Sequence, residues 1–111
     1  MMYSVQLTDT AKQDLRGIYE YIAYSLLEPD IAKGIVGRII AALKTLRAMP
    51  LRHALYQEEP WRSRGLRRMN TENYSAFYLI IEQTVHVIRI AYCGRDIRTI
   101  LQQSGDSIIP G

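Results

Sequence analysis

The sequence predicts an α+β domain: a short N-terminal strand, a helical hairpin, then three consecutive antiparallel strands with the helices on one face of the sheet. Three observations carry this reading. Apolar residues recur at helical spacing in two stretches, Ala11 to Leu26 and Ile31 to Leu46. From Trp61 onward that period gives way to short apolar runs separated by tight turns. The chain has 111 residues, the size of one domain with one core.

In chain order, Tyr3, Val5 and Leu7 alternate with Ser4 and Gln6, the pattern of a short strand. Thr8-Asp9-Thr10 offers oxygens to a helix start, and Thr10 with Gln13 fits a capping box. Ala11, Leu15, Ile18, Ile22 and Leu26 form the apolar stripe of the first helix, leaving Lys12, Asp14, Arg16 and Glu20 outside it. Glu28-Pro29-Asp30 ends this helix and begins the second, since proline suits a first turn. The second helix uses Ile31, Ile35, Ile39, Leu43 and Leu46 and stops before Pro50; Gly34 and Gly37 suggest close approach to the first. So short a connection makes the pair an antiparallel hairpin.

Residues 51–60 lose periodicity and read as an exposed connection. Leu66 and Met69 fall on opposite faces of a regular strand, so Gly65 marks a bulge or a close backbone approach. Turn chemistry at Asn70 to Asn73 leads into Tyr74 to Ile81, apolar on both faces except for Ser75. After Glu82-Gln83, the last strand places His86, Ile88, Ile90 and Tyr92 on one face and Val85, Val87, Arg89 and Ala91 on the other. A helix pair covers only one face, so the opposite face is expected to expose apolar and basic groups together. Beyond Arg98, Ile100-Leu101 extends a short helix or an extra strand. The domain is drawn over residues 1–103, and residues 104–111 read as a frayed, disordered tail or a partner contact.

The net charge of +3 and pI of about 9.2 are mild, and composition alone does not indicate nucleic-acid binding. Distribution is more telling: there are three lysines, and seven of the eleven arginines lie between residues 62 and 98. Arginine suits two-pronged contacts with phosphate or carboxylate. The binding candidates are Arg64, Arg67, Arg68, Arg89, Arg95 and Arg98; solvated strand faces and local ion pairs are the plain alternative. Cys93 is the single cysteine, which excludes an intrachain disulfide and fits a reducing interior. With His53 and His86 it gives no zinc spacing, so no metal or other cofactor is expected. No apolar run reaches the length of a membrane span, and the first residues lack signal-peptide features; the expectation is a cytoplasmic protein without membrane contact.

Several single residues stay open between two roles. His86 and Tyr92 read as packed rings or as substitute acid–base groups, and Cys93 as a small strand-end hydrophobe or a nucleophile without a partner. Gly94 fits an unusual backbone angle at the exit from the sheet. Arg95 and Asp96 read as an ion pair fixing that corner or as a target contact. Trp61 anchors its loop or stacks on a base. Tyr19, Tyr21 and Tyr24 suit a partner-binding groove on the first helix.

The order strand, two helices, three strands, with R-G-L-R-R-M at 64–69, N-Y-S-A-F-Y at 73–78 and V-I-R-I-A-Y-C-G-R-D at 87–96, resembles the RelE/ParE superfamily of bacterial type II toxins. The resemblance spans residues 2 to about 101. It implies a β-α-α-β-β-β fold with a mainly antiparallel four-stranded sheet, and neutralisation by a cognate antitoxin. It also implies one of two targets: DNA gyrase for ParE-like members, or ribosome-bound mRNA, cut without a metal, for RelE-like ones. Arg67, Arg68 and Arg95 match basic positions of the superfamily. The arginine that RelE-like nucleases carry on the central strand corresponds to Ser75, and their C-terminal tyrosine or histidine–tyrosine pair has no counterpart after Arg95. Gln102 and Gln103 cannot titrate, and arginine stabilises a phosphate but exchanges protons poorly near neutrality. The motifs are closer to the ParE branch, which favours a gyrase-directed toxin without assigned catalytic residues. A RelE-like endoribonuclease and a non-toxic antitoxin-binding domain of the same fold are the alternatives.

Overall fold

A computed structural model of the chain describes residues 2–108. β1 (Ser4–Leu7) leads into α1 (Asp9–Glu20), and α2 (Pro29–Lys44) returns from it. β2 (Arg67–Thr71), β3 (Tyr74–Ile81) and β4 (Thr84–Tyr92) follow, and α3 (Ile97–Ile108) closes the chain. The sheet order is β1-β4-β3-β2, antiparallel between β2, β3 and β4 and parallel between β1 and β4. This is the four-stranded, mainly antiparallel sheet expected. Glu72 and Asn73 both adopt positive φ (53° and 65°), giving the tight two-residue turn that matches strand twist.

α1 is capped by Thr8, not Thr10: its hydroxyl accepts from the Ala11 N–H at 3.1 Å, and Thr8 keeps an extended backbone. After Glu20 the helix widens into a π turn, Tyr21–Ser25, closed by Leu26 N–H to Tyr21 C=O. The extra residue rotates the stripe, so Ile22 stays buried while Leu26, expected inside, is 52 % exposed. Gly34 and Gly37 do not mark a helix–helix contact. A Cβ at Gly37 would meet nothing within 4 Å, and at Gly34 only the Arg38 side chain.

The helix hairpin packs on one face of the sheet, where Ala11, Ile39, Leu43 and Leu46 meet Met69, Tyr78, Val85 and Val87. The other face is not open, which corrects the expectation of an exposed apolar and basic surface. Trp61 and Leu66 cover it together with α3, through Ile97, Ile100 and Leu101, over Phe77, Leu79 and Ile88. The connection at 51–60 is correspondingly not a bare loop. Tyr56 packs edge-on against Trp61 and Phe77, and its N–H donates to the Leu66 carbonyl while Arg68 N–H donates to Ala54. With both faces buried, Leu66 and Met69 can point oppositely without conflict; Gly65, at φ 85°, supplies the turn that precedes β2.

Strict alternation along β4 also fails. Phe77 pairs with Arg89 but Tyr78 with Val87, leaving Ile88 as the extra residue of a bulge. Val85, Val87 and Ile90 therefore all join the helix-side core, while Ile88 and Ala91 join the opposite one. α3 runs past residue 103, where the domain was expected to end; residues 109–111 and the side chains from 103 onward lie outside the described residues.

Candidate functional site

The six arginines do not form one surface. Arg89 lies between α1 and β4 with its side chain 15 % exposed, and grips Asp14: Nε to Oδ2 at 2.9 Å and Nη2 to Oδ1 at 3.0 Å. Its Nη1 also donates to the Ile100 carbonyl at 3.3 Å, so it ties the helix hairpin, the sheet and α3 together. Arg67 donates to the His53 carbonyl at 2.6 Å. Arg98 reaches both Glu58 carboxylate oxygens at 2.9 Å, pinning α3 to the loop that covers the second face. Arg67 and Arg89 are thus held within the fold, whereas the Arg98–Glu58 pair lies on the surface, its side chains 60 % and 45 % exposed.

Arg68 belongs to a small polar network. Ser75, fully buried on the central strand, donates to Asn70 Oδ1 at 2.6 Å and accepts from Arg68 Nε at 2.9 Å. The Cys93 Sγ lies 3.3 Å from the same Ser75 oxygen, so the cysteine has a partner and, against the hydrophobic reading, is exposed. The Arg68 guanidinium also stacks 5.5 Å from the Phe77 ring centre. Arg64 is exposed in the turn ahead of β2.

Arg95 is different. It is exposed, its backbone N–H closes a turn onto Tyr92 at 3.0 Å, and its side chain has no partner among the described residues. The ion pair with Asp96 does not form. Asp96 instead accepts from Thr99, N–H at 3.3 Å and hydroxyl at 2.7 Å, at the start of α3, and those bonds hold its carboxyl below the usual carboxylate range. Gly94 is set by space, not by backbone angle: a Cβ there would stand 2.6 Å from the Tyr92 ring.

Arg95 stands at the rim of a groove of about 910 Å³ between the helix hairpin and the Tyr74 and Tyr92 ends of the strands. Tyr21, Leu26 and Ile31 line it and are each at least half exposed, as is Tyr92. Tyr74 meets Tyr92 edge-on at 5.7 Å, and burial pushes the Tyr74 hydroxyl above its ordinary value. Two of the groove's carboxylates are taken: Asp14 by Arg89, and Glu72 by Arg38 across from α2. The groove thus sets a contiguous aromatic and aliphatic surface beside one cation, Arg95, whose side chain has no partner among the described residues.

Of the expected acid–base substitutes, Tyr92 is exposed in this groove while His86 is half-buried. His53, the other histidine, is held neutral below its ordinary range by burial and by Arg52, and its Nε2 is buried without a partner among the described residues. Among the described residues no three histidine, cysteine or acidic side chains cluster as metal ligands, and no helix is long and apolar enough to cross a membrane. Sequence reasoning missed Asp14. Its signal was spacing: it falls on the core-facing line of Ala11 and Ile18, where a carboxylate calls for a buried cation.

Comparison with known proteins bears on this arrangement. The family model described as "ParE toxin of type II toxin-antitoxin system, parDE" matches residues 5–97. A comparison with curated proteins gives no match. Among solved structures, the chromosomal ParDE system from P. aeruginosa superposes with a TM-score of 0.69 at 26 % identity, over 82 % of this chain and 96 % of that one. The RelBE2 toxin–antitoxin complex from Mycobacterium tuberculosis gives 0.61 at 22 % identity, over 83 % and 99 %. A free-state mutant of the E. coli toxin RelE gives 0.64 at 12 % identity, over 94 % and 95 %. The last two speak to the fold alone.

Proposed function

The chain belongs to the ParE toxin family of type II toxin–antitoxin systems, and from that premise we propose that it acts by binding, not by cutting RNA, with DNA gyrase as its target. The observation that carries this is the fate of the basic strand positions. Metal-free cleavage of RNA needs a titratable acid and base beside cations that are free to surround a phosphate. Here Arg67 and Arg89 are tied to a carbonyl and a carboxylate of the same chain, and Arg68 to Ser75, which occupies the central-strand position. What the chain presents instead is the groove and Arg95, a surface suited to a macromolecular partner. A cognate antitoxin fits the same surface, and by covering Arg95 it would remove the toxin from its target.

The test is induced expression in bacteria, with and without the antitoxin encoded beside it. Growth arrest relieved by the antitoxin, with gyrase-dependent DNA cleavage by the purified protein, is the expected result. Ribosome-stimulated mRNA cleavage would replace the gyrase reading with a nuclease one. Unimpaired growth after verified soluble expression would leave only an antitoxin-binding domain. Arg95→Ala is expected to lower toxicity without changing thermal stability.

A further inference from the structure

The two edges of the sheet are finished differently. The β2 edge is guarded: the strand carries Arg67 and Arg68, and residues 54–56 lie along its start. Leu55 bridges Arg67 there, and the Arg68 N–H donates to the Ala54 carbonyl at 3.1 Å. β1, at the opposite edge, reads S-V-Q-L, with no charge, proline or bulge to turn a neighbour away. The Ser4 N–H donates to the Gln83 carbonyl at 2.9 Å and the Thr8 N–H to that of Val87 at 3.0 Å, so the even-numbered residues face β4. Val5 and Leu7 therefore turn their N–H and C=O groups outward, where no strand pairs with them among the described residues. The Tyr3 N–H also points outward, but the Arg47 carbonyl takes it at 2.8 Å.

Beside this edge lies a hollow of about 570 Å³, lined by Tyr3, Val5, Leu7, Leu15, Ile40 and Leu43. Ile40 is 39 % exposed, and Val5, Leu7 and Leu15 are only partly buried at the margin of the helix-side core. Geometry makes the edge self-complementary. Set antiparallel, with Val5 opposite Leu7 of a second copy, each β1 donates its Val5 and Leu7 N–H groups to the other about a two-fold axis at Gln6. That register leaves the Tyr3 N–H with Arg47. Charge agrees with it. The chain enters α1 directly after β1, so Asp9 of one copy is carried to the Tyr3 end of the other, where Lys44 and Arg47 stand exposed. Asp9, Lys44 and Arg47 are all exposed, and none is in an ion pair among the described residues.

We propose that β1 is a homodimer edge: two copies of this chain pair through Val5 and Leu7, joining their four-stranded sheets into one and merging their helix-side cores at Ile40 and Leu15. Asp9 of each copy meets Lys44 and Arg47 of the other. The groove lined by Tyr21 and Tyr92 takes no part, so the pairing stands apart from the reading of the target.

The experiment is sedimentation equilibrium of the purified full chain over a range of concentrations. The mass is expected to rise from 12.8 kDa toward twice that value. Val5→Pro removes an N–H that β4 does not use, and proline is tolerated at a strand edge; it is expected to weaken association at least about tenfold while the dichroism spectrum holds. Asp9→Arg and Arg47→Asp, at exposed side chains, each weaken it about tenfold, and the two together recover part of the loss. Amide exchange gives an independent readout: the Val5 and Leu7 N–H groups become protected as concentration rises, whereas that of Gln6, turned to β4, is protected throughout. A chain that stays at 12.8 kDa up to its solubility limit overturns the proposal. So does a dimer that Val5→Pro and both charge reversals leave unchanged. Association lost in Ile31→Ser, within the groove, but kept in the β1 variants places the contact elsewhere and overturns it equally.

Discussion

Asp14 and Arg89, 75 residues apart in sequence, meet through two parallel hydrogen bonds of 2.9 and 3.0 Å, each side chain about 15 % exposed. The same carboxylate takes the Ile90 N–H, so one side chain settles both a half-buried cation and a strand edge. Removing either partner strands the other charge. Asp14→Ala is expected to cost about 3 kcal/mol in urea denaturation, and Arg89→Leu a similar amount. The pair Asp14→Ala with Arg89→Leu should cost much less than the two single changes added together. Full additivity would show that the two residues are not coupled.

Trp61 is the single tryptophan and 5 % exposed, wedged beneath Tyr56 and over the Phe77 side of the sheet. Trp61→Ala is expected to destabilise by about 3–5 kcal/mol through the cavity it leaves. In the native chain its fluorescence should unfold together with the far-ultraviolet dichroism. A fluorescence transition that comes first would make the second face a separate cooperative unit.

The Tyr92 ring sits where a Cβ on Gly94 would be. Gly94→Ala must swing that ring off Tyr74, an edge-on contact worth about 1 kcal/mol. The expected signature is a double-mutant cycle: Gly94→Ala destabilises the native chain but is close to neutral in a Tyr92→Ala background. An equal cost in both backgrounds would place the strain in the backbone.

His53 gives the fold an acid limit. Burial, with Arg52 added, lowers its pKa below the ordinary 6.5. The unfolded chain therefore takes up the proton first, and the stability contributed by neutral His53 is complete above pH 6.5 and drains as pH falls toward the folded-state value. Between pH 7.5 and 5 the denaturation midpoint of the native chain should fall more than that of His53→Phe. Parallel curves would assign the loss to other groups.

Much of this architecture was legible in the sequence because it follows from period. The helix stripes at Ala11 to Ile22 and Ile35 to Leu46, and the two turns of the last three strands, carry their own local signals. What escaped was set by tertiary context. The π turn at Tyr21–Ser25 moved Leu26 into the groove, and the bulge at Ile88 re-sorted β4; neither insertion leaves a mark in hydrophobic spacing. The covering of the second face was hidden because Tyr56, Trp61, Ile97 and Ile100 are scattered over segments without a regular pattern of their own. The arginine candidates were legible as a group, but their division into tied residues and the unpaired Arg95 depended on where Asp14, Glu58 and Ser75 were brought.

The pairing of β1 with β4 also orders events in time. Residues 4–7 lie beside residues 84–87, so the first strand to leave the ribosome has no neighbour until most of the chain has been made. At about 5–20 residues per second that interval lasts several seconds. Until it closes, the helix hairpin holds its apolar stripe without the sheet. The groove lined by Tyr21, Tyr74 and Tyr92 therefore takes shape late in synthesis.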